Sequence, residues 1–197
     1  MTLRLQGTTG FTEVKAPAAA GSNTITLPTS NGSANQFLMN SGTAGELEFA
    51  ALGASDMPSG SILQVKNTLF TGNDEFTSTS FADVTNFSQT LATSSSSNKV
   101  LIILNITLYT FTTTNGASAR ITYDGNSTRE TQRQFSTTSG ISGSIPFMSL
   151  VSPGKTDSIT YQVQVKSELG SHTCAVNKDF NGDNTSHSEL ILMEIAA

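Results

Sequence analysis

The densest apolar run in the chain, Lys99 to Phe111 (K-V-L-I-I-L-N-I-T-L-Y-T-F), sets the class of fold that the rest must serve. Val100, Ile102, Leu104, Ile106 and Leu108 share one parity, which on an extended chain places all five on one face of a sheet. The other parity reads Leu101, Ile103, Asn105, Thr107 and Tyr109, apolar at the start and polar at the end. That pattern predicts a central strand covered on both faces where it begins and on one face where it ends. A helix of this length wants straight-chain residues and a polar stripe at helical spacing, and the run has neither. It therefore predicts an all-β domain with this segment in its core.

Composition agrees with that class. At 197 residues the chain has room for one full domain and a smaller module. Charged residues make up 13%, against about 25% in an ordinary domain. Ser, Thr, Asn and Gly take their place, which favours strands and tight turns and leaves little helix. The net charge of −5 speaks against nucleic-acid binding, which needs clustered Lys and Arg. Arg120, Arg129 and Arg133 lie close together, but Asp124 and Glu130 interleave with them as on a solvated mixed-charge face. No window approaches the ~18 apolar residues of a membrane span, and the first residues lack the apolar core of a signal peptide. The chain is thus expected to be made and used without Sec export or membrane insertion. A single cysteine, Cys174, allows no intrachain disulfide.

Residues 1 to about 50 read as short strand pieces cut by turns, with Gly7, Gly10, Gly21 and Gly32 as punctuation. Leu3 and Leu5 alternate with polar neighbours, as do Ile25 and Leu27, and Phe11 and Val14 bracket a further piece. Each fragment buries too little apolar area to offset backbone ordering of ~1–2 kcal/mol per residue. Such a segment needs a partner surface or copies of itself.

Positions 3 to 38, with the core A-P-A-A-A-G-S-N-T-I-T-L-P from Ala16 to Pro28, resemble a segment recurrent in tail-fibre and appendage proteins of tailed phages, notably those of cyanobacteria and other marine bacteria. Met57 to Val65 resembles the junction at which such proteins enter a C-terminal β-domain. The Ser/Thr run Thr93 to Ser97, the strand opening Lys99-Val100 and the final M-E-I-A-A are similar to that domain's pattern. The resemblance implies a virion structural protein, assembled in the host cytoplasm as a homotrimer. In it Leu3, Leu5, Phe11, Val14, Ile25 and Leu27 would make stem contacts, and the N-terminal segment would bind other virion proteins of the tail or capsid.

The predicted division is a stem and virion-attachment segment over 1–50, a linker over 51–59 and a C-terminal knob over 60–197. Leu47, Ala50, Ala51 and Ala54 fall at helical spacing, which predicts one helical turn between Glu46 and Ala54. From Gly60 onward strand candidates recur at sandwich intervals: 62–70, 75–81, 87–91, 99–111, 119–123, 145–151, 158–166, 173–176 and 189–195. Asn-Gly and Asp-Gly turns separate some of them. An antiparallel β-sandwich of jelly-roll type, trimeric, accounts for this spacing.

The sequence offers little chemistry. His172 and His187 are the only histidines, and no nucleophile elbow accompanies them. The carboxylates are scattered and there is no Trp, so a glycan-degrading enzyme is a distant alternative. His172 and Cys174, two apart, would share a face of a strand, but a buried thiol beside a surface histidine explains them without metal. Asp179 to Asn184 lacks the late bidentate Glu of a calcium loop and reads as a polar turn. No cofactor, metal or catalytic residue is expected. Long polar loops at Thr112–Ala119, Asp124–Gly143 and Lys178–Ser188 suit contact with a host-surface glycan, with Arg120, Arg129, Arg133, Asn181 and Asp183 as the receptor-facing residues. Two readings stay open: a short phage fibre with a distal knob, and a capsid-decorating, cement or head-fibre protein that stabilises the virion.

Overall fold

A computed structural model of the chain describes residues 2–15, 21, 23–112, 114–128, 132–135, 140–178, 183 and 186–197, with the side chains of 2–7, 11–13, 15 and 132–135 left out. Its contacts separate two units, Met1–Gly53 and Ala54–Ala197.

In the first unit β1 (Thr2–Gly7) and β2 (Gly10–Lys15) form an antiparallel hairpin, and β3 (Phe37–Asn40) and β4 (Leu47–Ala50) form another. Thr26 bridges to the start of the second hairpin: its N–H donates to the Gly45 carbonyl at 2.7 Å, and the Leu47 N–H donates to the Thr26 carbonyl at 2.9 Å. Gly45 has φ 85°, and a Cβ there would sit 2.5 Å from the Thr24 carbonyl oxygen, so this crossing admits only glycine. No residue of this unit whose side chain is described is buried. The expected helical turn over Glu46–Ala54 is instead β4 followed by a 3-10 turn at Ala54–Asp56. Cross-strand pairing of Leu47 and Phe49 with β3 overrides the alanine spacing.

The second unit contains β5 (Ile62–Phe70), β6 (Asp74–Phe76), β7 (Ala82–Leu91), β8 (Lys99–Thr110), β9 (Gly116–Tyr123), β10 (Asn126–Ser127), β11 (Gln132–Phe135), β12 (Ile141–Val151), β13 (Ile159–Ser167), β14 (Cys174–Val176) and β15 (Ser188–Ile195). All pairing among them is antiparallel. One sheet runs β5-β15-β8-β12, with β14 and β6 continuing beside the far half of β8. The other runs β7-β13-β9, with β10 and β11 both on the free side of β9 as two halves of one broken strand. Numbering the eight principal strands in chain order gives sheets 1-8-3-6 and 2-7-4-5, which is the jelly-roll order. The fold is therefore all-β, an antiparallel sandwich.

Its core follows the predicted parity. Val100, Ile102, Leu104, Ile106 and Leu108 are at most 1% exposed and face Val84, Phe87, Ile121, Tyr161 and Val163 of the opposite sheet. Phe70 stacks on Phe87 with ring centroids 4.9 Å apart, joining the two layers.

The strand registers put two sets of connections at opposite poles. The pole where β5 begins carries 54–61, 92–98, 124–125, 152–158 and the C-terminus. Here Gly60 N–H donates to the Ala196 carbonyl and Ala196 N–H to the Ser61 carbonyl, both at 2.9 Å. The other pole carries 71–81, 111–112, 114–115, 140 and 168–173. It is organised by Asn177, fully buried at φ 62°, whose Nδ2 donates to the Phe70 and Gly72 carbonyls at 2.8 Å and whose Oδ1 accepts from Ser188 Oγ at 2.6 Å.

Candidate functional site

Alternate residues of β8 point away from the core. Over its first half Lys99, Leu101, Ile103 and Asn105 are half-buried or exposed and define the most distinctive surface of the second unit, whereas Thr107 and Tyr109 of the same parity are buried. The outer face is thus open where the strand begins and covered where it ends, the reverse of the predicted order. Leu101 is in register with Met193 of β15 on one side and Leu150 of β12 on the other, and Met193 continues to Val65 of β5. The next row along the strands is Asn67, Ile191, Ile103 and Met148. Two four-strand rows thus hold seven apolar side chains and one asparagine on the outer face of the sheet. Ile62, Ile195 and Lys99 flank them at one end, and Leu69, Glu189, Asn105 and Pro146 at the other.

Met148 is 70% exposed, and Ile62, Val65, Leu69 and Leu150 are each 54–55% exposed. Leu101, Ile103, Ile191, Met193 and Ile195 between them are half-buried by these neighbours. A lone exposed apolar residue is ordinary on a protein surface, whereas a contiguous field on a sheet face marks a contact surface. The charged residues, Lys99 and Glu189, bracket the field and do not enter its two middle rows.

The outer face of the opposite sheet has a different chemistry. Arg120 of β9 donates from Nε to Gln164 Oε1 at 2.8 Å, and Gln164 Nε2 donates to Asp83 Oδ1 at 2.7 Å. The Phe81 ring lies 4.2 Å from the Arg120 guanidinium carbon and 5.0 Å from Lys166 Nζ. Lys166 pairs with Glu168 at 3.5 Å, and Ser118 Oγ donates to the same carboxylate. Arg120 is thus a mid-strand residue set in a polar mesh, where the predicted 119–123 strand placed it, and not on a receptor-facing loop; β9 begins earlier than predicted, at Gly116, and absorbs half of the anticipated 112–119 loop. Arg133 lies on β11, within what was expected to be a continuous 124–143 loop. Arg129 and Asn181 lie outside the described residues, and Asp183 is exposed at the pole opposite the N-terminal connection.

Of the expected stem residues, Leu3 and Leu5 fall on β1, and Phe11 and Val14 on β2, and Leu3 pairs with Val14 in register. Val14, Ile25 and Leu27 are 60–71% exposed. A groove of about 690 Å³ within the first unit is lined by Thr26, Pro28, Gln36, Glu46, Glu48 and Phe49. Both of its carboxylates are exposed.

The buried titratable groups are structural. Glu194 is 1% exposed and accepts four hydrogen bonds: from Ser94 N at 2.6 Å, Ser94 Oγ at 2.8 Å and Asn98 Nδ2 at 2.7 Å on Oε1, and from Gln64 Nε2 at 2.6 Å on Oε2. Burial pushes its pKa up, but these donors outweigh burial and hold the carboxyl below its usual range. Burial pushes the Cys174 thiol up to about 12. Only Cys174 of the His172–Cys174 pair is on a strand; its side chain enters the core while His172 turns to Ser171 Oγ at 2.9 Å, so the two do not share a face. No group of three or more metal-ligating side chains occurs among the described residues. Apart from Asp183, the Asp179–Asn184 turn lies outside them.

The outer-face residues Val65, Met148, Leu150, Ile191 and Met193 were not singled out from the sequence. Their signal is an apolar residue on both parities of one strand, as in L-I-L-M and I-P-F-M-S-L-V.

No family model and no curated protein matches the chain. Among solved structures it is similar to that of the Gx strain of infectious bursal disease virus, at 14% identity and TM-score 0.38 over 77% of this chain and 39% of that one. It is also similar to the T=1 particles derived from that virus, at 12% identity and TM-score 0.40 over 77% and 38%. A third is the virus's VP2 subviral particle, at 13% identity and TM-score 0.36 over 82% and 42%. The chain spans about two fifths of the length of these proteins.

Proposed function

We propose that this chain is a structural component of a phage virion: a short homotrimeric fibre or appendage, assembled in the host cytoplasm. Residues 1–50 attach it to other virion proteins, 51–59 link, and 60–197 form a distal knob that contacts the host surface. The observation that carries this reading is that residues 3–38, which resemble phage appendage segments, bury none of their described side chains within the chain. Val14, Ile25, Leu27, Phe37 and Leu38 are all at least half exposed, an arrangement that makes sense when other chains complete it. The jelly roll supplies a rigid scaffold, and its polar pole loops and the Arg120–Gln164–Asp83 mesh are chemistry suited to a host glycan.

The second reading is a capsid-decorating, cement or head-fibre protein, for which the uncovered apolar sheet face would serve to clamp neighbours. Antibodies against the knob, imaged on purified particles, test both readings. Label on the tail or neck is expected. Label spread over the capsid favours decoration, and particles that lack the chain overturn a virion role altogether.

A further inference from the structure

We infer that the outer face of the β5-β15-β8-β12 sheet is the surface through which copies of this chain meet; the inference rests on the homo-oligomeric reading above and assigns it a site. The pattern of β8 is that of a strand covered on both sides at its start, since Leu101 and Ile103 are as apolar as Val100, Ile102 and Leu104. Within the second unit only one side is covered. Leu101 and Ile103 are shielded by their sheet neighbours alone, and Met148, Leu150 and Val65 around them stand more than half exposed.

The size of the field fits a permanent contact. Four strands spaced ~4.8 Å apart, over six residue steps of ~3.3 Å, give a footprint on the order of 400 Å² in projection. Ile62, Val65, Leu69, Met148 and Leu150, each more than half exposed, stand clear of the sheet, so the accessible area exceeds this projection and approaches the ~800 Å² per partner of a stable interface.

The occupant is a second copy because the sheet is guarded against the alternative of edge growth. Pro146 removes a donor from β12, and Lys66 places a charge on the inner parity of β5, the two devices that stop strands adding to an edge. Association is left to the face. A self-contact also leaves Lys99 and Glu189 at the ends of the two apolar rows, in the wet rim, with no charge forced between apolar layers.

The test uses the full chain. Light scattering on the wild type at about 10 μM is expected to give a trimer mass, and Met148→Glu/Leu150→Glu is expected to weaken association by roughly 100-fold or more. Both side chains are exposed, so the variant should keep the β circular-dichroism spectrum of the wild type, while its thermal midpoint falls with the loss of subunit contacts. Met193→Cys gives a milder second probe, because the sole native thiol, Cys174, is buried; a bismaleimide of about 10 Å, the spacing of packed sheets, should join one copy to another. Retention of the wild-type mass by the double variant, absence of copy-to-copy adducts, or a monomeric wild type would each overturn the assignment. None of these outcomes depends on where the chain lies in the particle, so antibody labelling of virions judges the functional reading separately.

Discussion

Asn98 and Glu194 hold each other at 2.7 Å across the pole where the jelly roll begins and ends: Asn98 Nδ2 donates to the Glu194 carboxylate, while Asn98 Oδ1 accepts the Ala197 N–H at 3.1 Å. This pair stitches the 92–98 connection to the last strand. It replaces the salt bridge that a buried carboxylate ordinarily requires with four neutral donors.

Glu194→Ala is expected to lower stability by about 3 kcal/mol, because it strands Ser94, Asn98 and Gln64 donors in a buried site. The folded-state pKa lies below the unfolded value, so the carboxylate's contribution is complete above the ordinary range near ~4.3 and is lost as the pH falls through the depressed folded value. Thermal midpoints from pH 7 to pH 3 measure this. Glu194→Gln should flatten the acid side of the curve, and an unchanged acid limb would show that the carboxylate does not contribute.

Leu104→Asp should abolish folding of the second unit, whereas Leu104→Ala should cost ~2–5 kcal/mol. Leu104 is fully buried, between Leu190 and Phe147 in register. Ile103→Ser, one residue away on the opposite face, should leave the second unit folded with the wild-type β circular-dichroism spectrum. Circular dichroism of the three variants distinguishes the parities.

Tyr161→Phe should be neutral or slightly stabilising. The ring is fully buried and stacks on Tyr123 at 5.5 Å, but its hydroxyl has no hydrogen-bond partner among the described residues. Removing an unpaired buried hydroxyl relieves its desolvation cost while the ring packing stays. A loss above ~1 kcal/mol in denaturant melts would mean that the hydroxyl is bonded.

Cys174 should resist thiol reagents at pH 8 in the native protein and react fully in denaturant. It is inaccessible, and a thiol raised to about 12 supplies almost no thiolate at that pH. Rapid native labelling would show that β14 opens.

The sequence carried the sandwich because its signals were local. The alternation in Ile159–Val165 and the parity of Val100–Leu108 need no knowledge of partners, and both lie where expected. Strand ends were less legible. β12 starts at Ile141, four residues before the expected Ile145, because Ile141–Ser144 pair with Thr107–Thr110, a tertiary match that the I-S-G-S stretch does not advertise. The short β14 pairs with the far half of β8, and β6 pairs with β14 in turn. The outer apolar face escaped notice for the same reason: its residues come from four strands and are separated by up to 133 positions, Ile62 to Ile195, and become a surface only once the register is known. Glu194 gives no hint of burial, since its donors come from residues 64, 94 and 98.

The antiparallel register of β5 with β15, from Phe70 opposite Ser188 to Ile62 opposite Ile195, also has a mechanical meaning. Ile62 takes up the chain at one pole and β5 runs to the other. A pull between that connection and the opposite loops lies along the strand, across hydrogen bonds that stand perpendicular to it. Those bonds are then loaded together in shear and must fail together, where a strand pulled from its free end would peel one bond at a time. Under such a pull the first strand of the second unit would act as a tension member, loaded along its whole length at once.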